Sequence, residues 1–218
     1  RGIKMDGPCA KFNLVLSEKP RLEGADPAAD ALQRAQFTLV PWLDGAQRIY
    51  GESRLGRIAD PLWIDCLVPS LIDPSLAPPG RHVMTCFVQY LPYRLAASEW
   101  AQERGRLEQQ LLRQIAQFVP AVGRARVASR LYTPADLEAV FGITEGNIFH
   151  GDLRPDQLFF MRPLPGHARY ASPLAALYLC GAGTHPGGGV TGAPGFNAAH
   201  RILDDLKRDR GLRQGLQA

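Results

Sequence analysis

The residues best suited to chemistry gather in one stretch, positions 177–199, reading Leu-Tyr-Leu-Cys-Gly-Ala-Gly-Thr-His-Pro-Gly-Gly-Gly-Val-Thr-Gly-Ala-Pro-Gly-Phe-Asn-Ala-Ala. Seven of these residues are glycine. Lacking a Cβ, glycine tolerates positive φ and lets the backbone approach a ligand closely. Where such a loop runs into a helix, its amide N–H groups and the positive end of the helix dipole attract a phosphate or a polarised carbonyl. Gly181, Ala182, Gly183, Thr184, His185, Gly187, Gly188, Gly189, Val190, Thr191 and Gly192 are therefore candidate contacts to a nucleotide cofactor, made through the main chain. The spacing matches no common phosphate loop. There is no G-x-x-x-x-G-K-[ST], and Pro186 stands where the third glycine of G-x-G-x-x-G would follow Gly181 and Gly183. A glycine-rich turn joining a strand to a helix is the plain structural alternative.

Three side chains are candidates for proton chemistry. His185 lies inside the loop and titrates near neutral pH. His150 and Asp152 flank Gly151, either as a charged pair beside a ligand or as an exposed turn. Arg154, Asp156 and Arg162 are expected to pair among themselves, while Phe149, Phe159, Phe160 and Met161 would line an apolar channel or simply fill a core. His82, His167 and His200 lack the neighbours of a metal site, so none is expected. No Ser/His/Asp or Cys/His spacing points to a hydrolase. Cys9, Cys66, Cys86 and Cys180 form no C-x-x-C pair and read as buried free thiols, which suits a reducing compartment.

Around the loop the pattern predicts a short apolar strand over 175–180 and a helix presenting Phe196, Ala199, Ile202, Leu203 and Leu206 on one face, fraying from Arg208. Upstream, strands are expected over 10–16, 36–40, 62–72, 82–91 and 126–131, each bounded by Pro, Gly or polar residues. A polar, Ala-rich loop is expected over 23–33, and Gly45, Gly51 and Gly56 weaken the helical pattern of 43–57. From Ser98 a helix carries Trp100, Leu107, Leu111, Ile115 and Phe118 in one stripe and stops at Pro120. Thr133 is a candidate N-cap, with Pro134 next and Asp136 at the third position, for a short helix ending near Gly142. Residues 147–162 show no clear period. Together these imply an α+β fold with a mixed or antiparallel sheet and flanking helices.

Residues 177–195 resemble the C-terminal flavin-binding signature of the phytoene desaturase-related FAD-dependent oxidoreductases. The run Gly-Asn-Ile-Phe-His-Gly-Asp-Leu-Arg-Pro-Asp-Gln-Leu-Phe-Phe-Met-Arg-Pro at 146–163 and Thr-Pro-Ala-Asp-Leu-Glu at 133–138 are similar to the family's pyridine nucleotide-disulfide oxidoreductase domain-containing protein 2 branch. The resemblance covers roughly the last third of the chain and implies an organisation. Residues 1–170 would be a substrate-binding α+β domain, and 171–218 the returning strand, glycine loop and helix of a Rossmann-like FAD domain. It implies that residues 181–192 face the ribityl chain and flavin ring. Ala182 occupies the position where many related flavoproteins carry an acid, so no carboxylate contact to the ribityl hydroxyls is expected there. The implied activity is hydride transfer from an apolar C–H substrate to flavin, with an apolar or amphipathic small molecule as partner. The G-x-G-x-x-G of the family's N-terminal FAD-binding region is not found here, so that region would be a second, missing partner. This expectation, with a chain beginning at Arg1 rather than Met, reads the sequence as the C-terminal piece of a longer protein that alone holds FAD weakly or not at all. The other class of reading is a non-catalytic module that binds a ligand or partner and lacks a complete FAD site.

Bulk properties agree with a globular protein. Of 218 residues, 45% are hydrophobic and 21% charged. The net charge of +4 is spread along the chain without basic runs interleaved with aromatics, which argues against nucleic-acid binding. No apolar run reaches the length of a membrane-spanning helix. A cytoplasmic location is expected, with peripheral attachment to an anionic membrane as a variant of it, and a homo-oligomer is left open.

Overall fold

Strand β1 (Ala10–Leu16) is an interior strand of the sheet with a strictly alternating burial pattern. Ala10, Phe12, Leu14 and Leu16 are fully buried on one face, and Lys11, Asn13 and Val15 are half-buried on the other. The computed structural model describes residues 2–24 and 36–215. The remaining strands are β2 (Phe37–Leu39), β3 (Trp63–Leu67), β4 (His82–Gln89) and β5 (Arg126–Tyr132). They form one antiparallel sheet of five strands in the order β2-β3-β4-β1-β5. β1 is flanked by β4 and β5, with Phe12 opposite Cys86 and Leu131. The strand expected to run to Ile72 stops at Leu67, because Pro69 has no N–H for the ladder and opens a 3₁₀ turn, Pro69–Leu71, instead.

Helix α2 (Trp100–Ala116) covers the buried face of the sheet. Trp100, Leu107, Leu111 and Ile115 are buried, as the stripe requires, and Leu112 joins them. Phe118 does not: the helix has ended before it, the side chain is half exposed, and Val119 turns inward in its place. Helix α1 (Leu43–Arg54) forms despite Gly45 and Gly51 and buries Ile49. The short α3 (Ala121–Arg124) follows α2 and buries Ala121 and Val122. Helix α4 (Pro134–Phe141) starts on a reciprocal capping box between Thr133 and Asp136 and ends at Gly142, which has the positive φ of a left-handed cap. All of this belongs to the unit Asp6–Asn147. The fold is thus α+β, with a wholly antiparallel sheet.

Arg1–Met5 and Ile148–Ala218 make a separate unit. Residues 148–170, grouped with the first domain on sequence, therefore cluster with the glycine loop. They carry two 3₁₀ turns, Pro155–Gln157 and Phe159–Met161, and the last element of the chain is α5 (Ala193–Gly215). That helix continues past Arg208 to Gly215 rather than fraying. The strand expected over 175–180 does not form. Only one antiparallel bridge, Ala171 to Tyr178, closes the segment. A strand needs a ladder partner for its N–H and C=O groups, and among the described residues of this unit there is no strand to offer one. The loop expected over 23–33 lies outside the described residues from position 25 on.

Candidate cofactor-binding loop

The loop is shaped by backbone conformations that its residue types permit. Gly181, Gly187, Gly189 and Gly192 have φ of +102°, +122°, +120° and +72°. Gly188 serves a different purpose, since a Cβ there would stand 2.9 Å from Cδ1 of Phe149 and 3.2 Å from Cβ of Ala182. A Cβ on Gly183 would meet Cβ of His150 at 3.3 Å. The 146–163 motif and the glycine loop thus pack backbone against side chain, at Gly188 closer than a Cβ can stand and at Gly183 tightly. Val190 is an exception, with φ +58° on a β-branched residue and a fully exposed side chain. Such strain is uncommon away from sites where the backbone conformation itself is used.

Two buried polar side chains hold the loop from below. Arg162, 3% exposed, donates to Phe149 O (2.5 Å), Ala182 O (2.7 Å), Gly151 O (2.7 Å), Asp152 O (3.3 Å) and, through Nε, to Gln157 O (2.7 Å). Tyr170 donates its hydroxyl to the His185 carbonyl at 3.0 Å and accepts from Asn197 of α5 at 2.9 Å. Thr184, buried, closes the first turn by bonding Gly181 O through its hydroxyl at 2.9 Å and through its amide at 3.1 Å.

What these anchors leave over is a row of donors. Among the described residues, the amides of Gly183, His185, Gly187, Gly188, Gly189, Val190 and Thr191 donate no hydrogen bond within the protein. Carbonyls of the same segment, Gly181, Ala182 and His185, are consumed. Among the described residues the carbonyls of Gly183, Thr184 and 186–191 accept no hydrogen bond either, so the loop keeps main-chain donors and acceptors alike, and its amides are the groups that suit an anionic or carbonyl-bearing ligand.

The candidates for proton chemistry fare differently. His185 is half-buried, and its Nδ1 is enclosed without a hydrogen-bond partner. His150 is exposed, with φ +54°, and forms no ion pair among the described residues, so the charged pair with Asp152 is not made. Asp152 instead donates its amide to Lys4 O at 2.8 Å. Arg154 pairs with Asp156 as expected, at 3.1 Å, and the Arg154 guanidinium holds the Asp156 carboxyl below the usual range. Arg162 leaves that group for the carbonyls above. Burial lowers its affinity for the proton, and the Asp152 charge offsets this in part. Phe159 and Phe160 are exposed rather than core. Cys9, Cys66 and Cys86 are buried thiols, whereas Cys180 is exposed, because the segment carrying it forms no strand. Arg162 and Tyr170 were not legible as anchors, since their partners are main-chain carbonyls that no residue type announces. Among the described residues no group of His, Cys, Asp and Glu could hold a metal ion, and no helix is long and apolar enough to cross a membrane.

No protein-family profile matches the chain. Pyridine nucleotide-disulfide oxidoreductase domain-containing protein 2 of Mus musculus is 48% identical over 212 residues, covering 94% of this chain and 36% of the relative. The protein of the same name from Rattus norvegicus is 37% identical over 212 residues, again 94% of this chain and 36% of the relative. A lycopene-forming phytoene desaturase of Pseudescherichia vulneris is 32% identical over 153 residues, 69% and 30% of the two chains. The chain spans about a third of the length of the curated relatives it matches. Across that span it belongs to the phytoene desaturase-related oxidoreductase family, together with the pyridine nucleotide-disulfide oxidoreductase domain-containing protein 2 branch.

Proposed function

We propose that this chain is the C-terminal part of an FAD-dependent oxidoreductase that moves a hydride from an apolar C–H substrate to flavin. The observation that carries the reading is the row of unspent amide donors at Gly183, His185 and residues 187–191, braced by Arg162 and Tyr170. The residues present fit a flavin nucleotide: the donors are main-chain, and the loop is open above Gly181, Gly189 and Gly192, where an added Cβ would meet nothing outside the loop. Gly187, Gly188, Gly189, Val190 and Thr191 would hold the flavin end through their N–H groups. FAD, when bound, supplies the two-electron acceptor. The chain's own work is then to fix the amide directions, orient the substrate and exclude water.

The rest of the cofactor site is assigned to sequence outside this chain. All residues of the buried apolar cluster fall between 10 and 131. In the unit that carries the loop, Phe159, Phe160, Leu177, Phe196, Leu203 and Leu206 are exposed. Each would contribute about 1.5–3 kcal/mol on full burial, so the unit is short of a partner surface, and an N-terminal FAD-binding region of the kind its longer relatives have room for is the proposed cover. In the other unit, the sheet face bearing Lys11, Asn13, Phe87 and Tyr132 is only half-buried, which supports its reading as the substrate domain for an apolar or amphipathic molecule.

The test is spectroscopic. The longer protein that contains this chain is expected to purify yellow and to bleach with dithionite, whereas the 218-residue chain alone should leave FAD fluorescence unchanged at micromolar concentration. A colourless longer protein that takes up no added FAD overturns the enzyme reading in favour of a non-catalytic binding module.

A further inference from the structure

We infer that Arg162 is the positioning residue of the glycine loop, setting both the direction of its amides and the positive potential beneath it. The inference rests on the flavin reading only for the ligand's identity. The guanidinium carries five donors in a rigid fork, and here all three nitrogens are used, by carbonyls of residues 149, 151, 152, 157 and 182. These acceptors come from both motifs that single out this family, and the fork ties the two together. The bond to Ala182 matters most. A peptide group is planar and trans, with C=O and N–H on opposite sides. Fixing the Ala182 carbonyl on Arg162 therefore turns the Gly183 N–H to the far side, where it donates to nothing among the described residues. A second contact lies under Gly187, where an added Cβ would stand 3.9 Å from Cδ of Arg162 and 4.0 Å from its Nε.

The choice of a cation is itself informative. Burying a guanidinium is costly, and neutral carbonyls offset that cost less well than a carboxylate in contact. The guanidinium charge, countered in part by that of Asp152, favours negative charge on whatever lies above the loop, which assigns the loop an anionic or electron-accepting group rather than a neutral one.

The experiment uses Arg162→Lys, Arg162→Gln and Arg162→Ala. In the ligand-free chain, amide exchange is followed at Thr184, the loop N–H that is bonded, with amides of the β1–β4 pairing as an internal control. All three variants should exchange at Thr184 at least about tenfold faster while the sheet is unchanged, and millimolar guanidinium should restore slow exchange in Arg162→Ala but not in Arg162→Gln, whose side chain fills the site. In the flavin-loaded longer protein the midpoint potential of bound FAD should fall in Arg162→Gln and hold in Arg162→Lys, which keeps the charge. Unchanged exchange at Thr184, or loss that guanidinium does not rescue, overturns the positioning role; a potential that ignores the charge overturns the electrostatic one. Should Arg162→Ala unfold the unit, exchange at Thr184 in the Lys and Gln variants tests the positioning role without the rescue: faster exchange supports it and unchanged exchange overturns it. A rescue in the ligand-free chain alongside a longer protein that binds no FAD leaves the positioning role standing and removes the flavin.

Discussion

At the scale of single residues, burial decides which groups are reactive. Cys9 is driven up to about 12 by burial, relieved only in part by the nearby Lys11 charge. Cys66, facing Cys86 with the sulfurs 3.7 Å apart, is raised further by that hydrogen bond and by burial. Thiolate is the reactive form, so these thiols are inert while the sheet is folded. Cys180 is exposed. A thiol reagent at pH 8 is therefore expected to modify one cysteine quickly, and Cys180→Ser should remove that fast phase, with the others reacting only on unfolding; fast labelling of two or more sites by mass spectrometry would contradict this. Gly188 permits a similar test. A Cβ would enter the Phe149 ring at 2.9 Å, so Gly188→Ala should weaken FAD retention in the longer protein by roughly tenfold or more, the scale of about 1–3 kcal/mol for overpacking, and Gly188→Ala combined with Phe149→Leu should recover part of it.

Among the elements, helix α4 has the most explicit design. Thr133, fully buried, and Asp136 cap each other, and Asp136 also binds Arg104 at 2.6 Å. Thr133→Ala should cost about 1 kcal/mol in urea unfolding, within the 0.5–2 kcal/mol span of lost caps, with Thr133→Ser close to the parent. Burial by itself would raise the Asp136 carboxyl, but hydrogen bonds from Arg104 and Thr133 outweigh it and the net shift is downward. A depressed folded value means stability that is present above the unfolded pKa, about 3.9, and is lost as pH falls through the lower folded value. The stability gap between the protein and Asp136→Asn should hence be constant above about pH 5 and close below about pH 4; a gap that widens on acidification would refute the assignment. Helix α2 offers a gain rather than a loss. Gly105 has no neighbour within 4 Å of a built Cβ and no positive φ, so Gly105→Ala should add about 0.4–1 kcal/mol by reducing the freedom of the unfolded chain.

The molecule as a whole is unevenly stabilised. The apolar cluster, the sheet and its helix all belong to Asp6–Asn147. The loop-bearing unit is held mainly by polar anchors, among them the Tyr178 hydroxyl on Asp205, itself paired with Arg201 at 2.8 Å. On α5, Phe196, Ala199, Leu203 and Leu206 repeat at steps of three and four on an exposed face. Local stability follows buried apolar contacts. In the chain alone, amides of α5 are accordingly expected to exchange far faster than those of β1 and β4, and to slow in the longer protein. Equal protection in the two would show that no upstream surface covers the helix.

Periodicity and local chemistry were enough to read β1, the α2 stripe, the α4 cap and the glycine loop from sequence, because each depends on neighbours within a few positions. From them the loop is expected to make its contacts through the main chain, since glycine has nothing else to offer. Tertiary structure alone decided the rest. The run 175–180 looked like a strand, but it has no ladder partner among the described residues and stays open, exposing Cys180. Arg162 looked like a member of a surface ion-pair group, yet it is buried under the loop on carbonyls from as far as Ala182. A carbonyl belongs to every residue and carries no signature in the sequence; which carbonyls converge on one guanidinium is known only once the chain has folded around it.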